Sequence, residues 1–324
     1  MILKILITGA NGFVGSYAAG YLHDMGHEVS ALVRHTAQCG LIPPHIHQIR
    51  TDYSPENLAE ALSGHEIIIH TAATVRARSW DEYRRVNVEL TRKLTDAFNA
   101  CSDTKHFIFL SSQAAAGMAE TGMEKHEDDP CNPITDYGRS KRLAEHEIMK
   151  SCMKPWTIIR PSSVYGPGDK DFLLFFQAVQ NHVSVHIGNP EKRISLLYVR
   201  ELAELLNLVI MNQASYQQIF FASDGEIYKQ DNFIDTLQQV IPSWTLQLHL
   251  PDLLLYPFAA FSELGGFLRR KAPVLNWQKK DEILGSNWVV SIDKAKSLLG
   301  FQPVPKLTAN LRETYSWYKA KGWL

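Results

Sequence analysis

The chain has 324 residues, with 33 Lys+Arg against 34 Asp+Glu, a net charge of −1, 45% hydrophobic and 21% charged residues. That balance belongs to a globular chain with a real core, one large α/β domain or a core plus a smaller lobe, and it excludes the charge excess that nucleic acid or an acidic membrane surface selects. The four cysteines (Cys39, Cys101, Cys131 and Cys152) lack the paired spacing of zinc or redox sites and suit a reduced, cytoplasmic setting.

The opening stretch "MILKILITGANG" has an apolar run too short for a signal peptide and ends in glycines, so it reads as a buried strand. Next, "ITGANGFVGS" places Gly9, Gly12 and Gly15 between that strand and a helix. Gly9 permits a tight turn, Gly12 lets backbone N–H groups approach a pyrophosphate, and Gly15 lets the helix pack closely on the strand. The helix N-terminus then faces the phosphates with unpaired donors and the positive end of its dipole. The second strand ends "SALVRHT": Val33 stands where an NAD-binding unit usually carries an acid, and Arg34 follows. A guanidinium pairs with a 2′-phosphate in a forked geometry, whereas a carboxylate repels it, so NADP is favoured and NAD remains the alternative. Three more apolar runs, "EIIIHTAA", "HFIFLSS" and "WTIIRPSS", alternate with segments of helical length. Strands buried on both faces and joined by helices predict a Rossmann-type, doubly wound parallel sheet.

Between the last two of those strands, "DYGRSK" sets Tyr137 and Lys141 one turn apart on a helix face. The preceding "EDDPCNPITD", with its prolines and Asp136, suits a helix start. A second Tyr-x-x-x-Lys, "YSWYK" from Tyr315 to Lys319, has no serine-ended strand in the expected order and reads as plain helix surface. After "YGPGD" (165–169) the alternation loosens, which divides the chain into a dinucleotide-binding domain, 1–165, and a mainly substrate-binding lobe, 166–324, with segments returning to the sheet. Within that lobe "LPDLLLYPFAAFSELGGFL" (250–268) is interrupted by Pro251, Asp252, Pro257 and Glu263, so it reads as a packed helix or a cover over an apolar pocket, with a shallow membrane-surface contact as the alternative. The basic "LRRK" (268–271) reads as a solvated helix end. Histidines are plentiful, 13 in all, but His45/His47 and His65/His70 have no carboxylate or cysteine at metal spacing, and no metal site is assigned.

Taken together, "TGANGFVG", "TDY" (51–53), "HTAA" (70–73), "VNVELTRKL" (86–94), "IIRPSSVYGPGD" (158–169) and "LLGFQP" (298–303) resemble, in order, the motifs of the extended short-chain dehydrogenase/reductase family. The form "RPSSVYGPGD" is closest to its dihydroflavonol reductase and 3β-hydroxysteroid dehydrogenase branch. The resemblance implies cofactor contacts from Gly9, Asn11, Gly12, Phe13, Val14, Gly15 and Arg34, from Asp52 and Tyr53 over the adenine, and from Thr71, Ala72 and Ala73 beneath the cofactor. It adds Asn87, Tyr137, Lys141, Pro161, Ser163 and Val164. The family's Ser-x-x-x-x-Gly pattern, counted back from Gly117, selects Ser112 as the catalytic serine, with Ser111 as the fallback. The chemistry is coherent: a phenol of ordinary pKa near ~10 protonates a forming alkoxide poorly, and a neighbouring ammonium lowers that pKa. Lys141 would supply that charge and hold the nicotinamide ribose, while Ser112 would hold the substrate oxygen.

Two departures narrow the reaction. Gln113 and Ala114 stand where the family's 4,6-dehydratases carry an acidic pair, and Ser163 stands where sugar-nucleotide epimerases commonly carry an asparagine. The resulting expectation is an NAD(P)-dependent reductase or dehydrogenase acting on a secondary alcohol or ketone of a fairly apolar small molecule. A nucleotide-sugar epimerase is the second reading, and a non-catalytic NADP-binding regulatory protein the third. A homodimer is expected from the resemblance alone.

Overall fold

The computed structural model describes residues 2–187, 191–250, 285 and 287–324. The short apolar runs form the strands: β1 (Lys4–Thr8), β2 (Glu28–Arg34), β3 (His47–Thr51), β4 (Ile67–His70), β5 (His106–Leu110) and β6 (Trp156–Pro161). They lie side by side in one parallel sheet of seven strands, in the order β3-β2-β1-β4-β5-β6 followed by Gln218–Ala222. Successive side chains point to opposite faces of a strand, so two cores form. Ile5, Ile7, Ala31 and Ile108 pack on one face with Ala18 and Leu22 of α1 (Phe13–Asp24), Leu202 and Leu206 of helix Val199–Val209, and Leu299 of helix Asp293–Leu299. Leu6, Ile68, Phe107 and Ile158 pack on the other, against α2 (Pro55–Leu62), α4 (Leu90–Ala100) and α5 (Asp136–Ser151). A four-residue helix, α3 (Trp80–Tyr83), leads into α4.

The second half of the chain does two things. Gln218–Ala222 extends the sheet beyond β6, and Glu127 caps this edge strand by accepting the Phe221 N–H at 2.8 Å. The remainder builds a third core around Tyr165, Phe176, Tyr198, Phe233, Leu311 and Tyr318. In it Tyr318 meets Phe176 edge-on, with ring centroids 5.1 Å apart. Among the described residues no helix is long and apolar enough to cross a membrane.

Strands β1 and β4 are neighbours, although the chain leaves β1 toward β2 on the other side. The loops after β1 and β4 therefore diverge at the carboxyl edge and open a crevice there, the place where open α/β sheets hold ligands.

Candidate active site

The glycine loop borders this crevice. Gly9 has φ +74°, and a Cβ there would lie 2.5 Å from the Ala72 nitrogen. A Cβ on Gly15 would lie 2.4 Å from the Gly9 carbonyl oxygen and 2.6 Å from Thr71 Oγ1. The turn therefore presses backbone against backbone at the β1–β4 crevice. Gly12 caps α1 without a side-chain hydrogen bond, and no acid lies in the first turn. The first helical N–H groups thus keep their donors for an anion. Phe13 and Val14 pack part of their side chains against the apolar cores.

A cavity of about 490 Å³ extends from this loop. Gly9, Asn11, Gly12, Arg34, Asp52, Tyr53, Thr71, Ala72 and Ala73 line it, together with Arg85, Val86, Glu89, Leu90 and Lys93. Asp52 is exposed and accepts from Ser54 N–H and Asn57 Nδ2, both at 2.8 Å, and those hydrogen bonds, the Ser54 backbone first, hold its carboxyl down at about 2. Tyr53, at φ +62°, is half-buried and its phenol is pushed up to about 12 by burial. Arg34, Arg85 and Lys93 give the cavity three cations, beside the carboxylates of Asp52 and Glu89. Arg85, Glu89 and Lys93 escaped the sequence reading, because their spacing on a helical stretch looks like an ordinary solvated face.

The second half of the site forms where β5 and α5 end and begin. Ser112 caps a short 3-10 turn, its Oγ accepting the Ala114 N–H at 3.1 Å, and it is half-buried. Ser111 is buried and its hydroxyl donates to Glu145 at 2.6 Å. The cap of α5 is Thr135, which accepts the Gly138 N–H at 3.0 Å, so Asp136 is the first helical residue instead of the cap. Gly138 packs on the turn begun by Ser112: a Cβ there would sit 2.3 Å from the Ala114 carbonyl oxygen. The first turn of α5, which carries Tyr137, approaches the turn capped by Ser112 this closely because residue 138 has no side chain. One turn on, Lys141 is 1% exposed, its Nζ donating to the Leu110 carbonyl at 2.5 Å and lying 4.1 Å from the Phe109 ring centre. Burial pushes its ammonium down to about 7, and the carboxylate of Glu145 pulls the other way.

Asn87 is a further residue of the expected cofactor set. It is 1% exposed and sits behind the crevice floor, in a π-helical segment Arg84–Glu89 between α3 and α4. Its Oδ1 accepts the Thr74 N–H at 2.8 Å, and its Nδ2 donates to the Thr74 carbonyl at 3.0 Å and to Ser140 Oγ at 2.8 Å. Ser140 in turn donates to the Tyr137 carbonyl at 2.7 Å. Both amide hydrogens and one oxygen lone pair thus join the loop after β4 to the first turn of α5. Nearby, Thr91 Oγ1 donates to the Asn87 carbonyl at 2.7 Å, so buried His70 must donate from Nε2 to Thr91 (3.0 Å) and accept at Nδ1 from Thr8 (2.6 Å). His70 stays neutral: burial first, then the Lys141 charge, holds it well below its ordinary value.

A family model described as "NAD dependent epimerase/dehydratase family" matches residues 5–221. The chain belongs to that family. Its relatives include the ceramide reductase of Caulobacter vibrioides, 25% identical over 328 residues, covering 99% of this chain and 96% of that protein. The UDP-glucose 4-epimerase of Vibrio cholerae is 27% identical over 332 residues, covering 96% and 94%. Among solved structures, UDP-glucuronic acid 4-epimerase from Bacillus cereus, in complex with UDP-glucuronic acid and NAD, shares the fold with a TM-score of 0.78 at 20% identity, covering 98% of this chain and all of that one (100%). This epimerase/dehydratase-family chain is a nicotinamide-dependent oxidoreductase.

The remaining expected contacts of this family member scatter. Pro161 is buried, Ser163 is exposed, and Val164 packs between two cores. The second Tyr-x-x-x-Lys is helical, in Leu307–Ala320, but it is not plain surface: Tyr315 stacks on Phe176 at 6.4 Å and Lys319 lies 5.5 Å over the Tyr315 ring. Aromatic packing explains its spacing. Among the described residues His23, Asp24 and His45 bring ligand atoms within 4.8 Å of one another, exposed and at the end of α1 remote from the glycine loop. The "LRRK" cluster and all but the first residue of the 250–268 stretch lie outside the described residues.

Proposed function

We propose that the chain interconverts a ketone and the matching secondary alcohol on a long, largely apolar small molecule, with NADP as preferred cofactor. The observation carrying this is the arrangement of Tyr137, Lys141 and Ser112: a buried lysine one turn below a tyrosine, held against a serine-capped turn by Gly138. The likeness to a ceramide reductase along almost the whole chain supports an apolar substrate.

The glycine cradle, the open donors of α1 and the cavity beside Arg34 fit a dinucleotide. When bound, its nicotinamide supplies or accepts the hydride. Ser112 orients the substrate oxygen by a hydrogen bond, and Tyr137 carries the proton to or from it. Lys141 favours the tyrosine's phenolate by its charge, and the crevice walls exclude water around the reacting atoms. Three cations, Arg34, Arg85 and Lys93, favour a cofactor bearing an extra phosphate. We divide the labour at 165/166, the first part holding the cofactor and the second mainly the substrate. We place the enzyme in the cytoplasm, on its four free cysteines, and as a homodimer.

The test is NADPH oxidation with a ceramide-type lipid ketone and a 3-ketosteroid, alongside a separate assay of UDP-glucose for its 4-epimer, a conversion that consumes no NADPH. A ketone of the first two kinds turns over, and Tyr137→Phe lowers kcat by about 10³ while NADPH affinity changes less than about threefold. Unchanged turnover in Tyr137→Phe would remove the acid/base assignment. The epimerase reading, favoured by the UDP-glucose 4-epimerase likeness, requires purified protein that carries stoichiometric, non-exchanging NAD(H).

A further inference from the structure

Below the tyrosine–lysine pair, the same face of α5 carries a third ionisable residue. Glu145 follows Lys141 by one turn, as Lys141 follows Tyr137. It is 0% exposed, which demands compensation for its charge. Four donors supply it. Arg160 of β6, itself 1% exposed, forks onto both carboxylate oxygens, Nε to Oε1 and Nη2 to Oε2, each at 2.8 Å. Arg142 donates to Oε2 at 2.9 Å, and Ser111 to Oε1 at 2.6 Å. Burial opposes the charge, but Arg160 outweighs it and holds the carboxyl below its ordinary value. Glu145 is therefore an anion at every working pH.

Ser111 directly precedes Ser112, so the carboxylate grips the end of β5, the base of α5 and β6 at once. The two elements that present the reacting residues, β5 and α5, meet β6 on one side chain. We propose that Glu145, clamped by Arg160, is a positioning residue for the reaction: it locks the Ser112 turn to the Tyr137–Lys141 face and places a permanent negative charge under Lys141. This rests on the reading of Tyr137 as proton carrier. The charged and titratable groups around the pair are few. Lys141 is faced by Tyr137 and Glu145 on its own helix and by neutral His70 from β4; Glu145 by Arg142, by Arg160 from β6, and Arg160 by Cys131 at 3.5 Å from the preceding loop. Glu145 is the one anion in that set, and burial alone works to strip Lys141 of its proton. Without Glu145, Lys141 loses its charge sooner and Tyr137 loses the partner that makes it acidic.

The main readout needs no substrate. Tyrosinate absorbance is titrated in protein saturated with NADP+, and in parallel with NAD+, taking wild type minus Tyr137→Phe as the signal of Tyr137. Neutralising one partner of a buried pair can unfold a chain, so the main variant is Glu145→Gln with Arg160→Met, uncharged and of similar volume, checked by circular dichroism. The Tyr137 midpoint is expected to rise by about one pH unit in the double variant. In Glu145→Asp, which keeps the charge and shortens the reach, it should stay within about 0.3 unit while Ser112 placement, read as kcat on the ketone found above, falls about tenfold. A wild-type midpoint in a folded double variant overturns the proposal, as does an unfolded double variant accompanied by an Glu145→Asp indistinguishable from wild type in both readouts. If wild type minus Tyr137→Phe gives no titration at all below about pH 9, the proton-carrier reading fails instead, and the two failures stay distinct.

Discussion

Arg34 decides cofactor choice if any single side chain does. It stands exposed at the end of β2, lines the cavity, and has the buried apolar Val33 before it where a carboxylate would exclude phosphate. Replacing it removes a charge-assisted hydrogen bond worth roughly 1.5–3 kcal/mol, about 10- to 100-fold in affinity. Arg34→Ala should therefore weaken NADPH binding by that factor and NADH by less than about threefold, as read by cofactor fluorescence titration. Equal losses for both would show that the guanidinium serves the adenine, not a phosphate. The sequence made Arg34 legible because strand ends are visible as pattern breaks. It hid Lys93 and Arg85, since a cation on a helix shows only in three dimensions whether it faces solvent or a ligand. For Asn87 the motif advertised a hydrogen-bonding duty but not the partners the fold supplies, Thr74 and Ser140.

Elements are positioned by what they lack as much as by what they carry. The start of α5 approaches the turn after β5 only because residue 138 has no Cβ. Gly138→Ala would ordinarily help a helix by about 1 kcal/mol, yet here a methyl would be driven to 2.3 Å from the Ala114 carbonyl. The first turn must back away, carrying Tyr137 off the Ser112 turn. We expect kcat to fall about 100-fold with cofactor affinity nearly unchanged, and stability to drop in a thermal melt although propensity alone predicts a gain. The strands themselves were legible in advance, since buried parallel strands are continuous apolar runs. The edge strand Gln218–Ala222 is a short apolar run like the others, but which strand it joins depends on a long-range pairing that no local pattern encodes. The YSWYK spacing misled in the milder way: Tyr315 is packing, and packing is invisible to a motif.

Across the whole molecule the buried carboxyls set a pH dependence. Burial, joined by Asp224, pushes Glu201 up to about 7, and burial alone leads the rise of Asp224 to about 6. Both sit where the sheet domain meets the lobe: Glu201 accepts the Tyr198 N–H at 3.4 Å and the Val304 N–H at 3.2 Å, and Asp224 takes the Tyr228 hydroxyl at 2.6 Å. A carboxyl whose folded value lies above its unfolded value contributes stability that is complete below about pH 4.5 and lost as pH climbs to the folded value. Glu201→Gln mimics the protonated form and cannot ionise. Its melting temperature should exceed that of wild type at pH 8, and the advantage should shrink steadily to nothing near pH 4.5. A constant difference across that range would mean Glu201 titrates normally.

The π-helical segment Arg84–Glu89 holds one residue more than a regular helix would need over the same rise. Remove any one of those six positions, and α3 could run straight into α4 as a single rod, gaining regular hydrogen bonds. The shortened chain would be a better helix and a worse enzyme. Drawn into regular α-helical register, the Asn87 amide could no longer face both Thr74 and Ser140. A length change of one residue here is therefore expected to uncouple the loop after β4 from the first turn of α5.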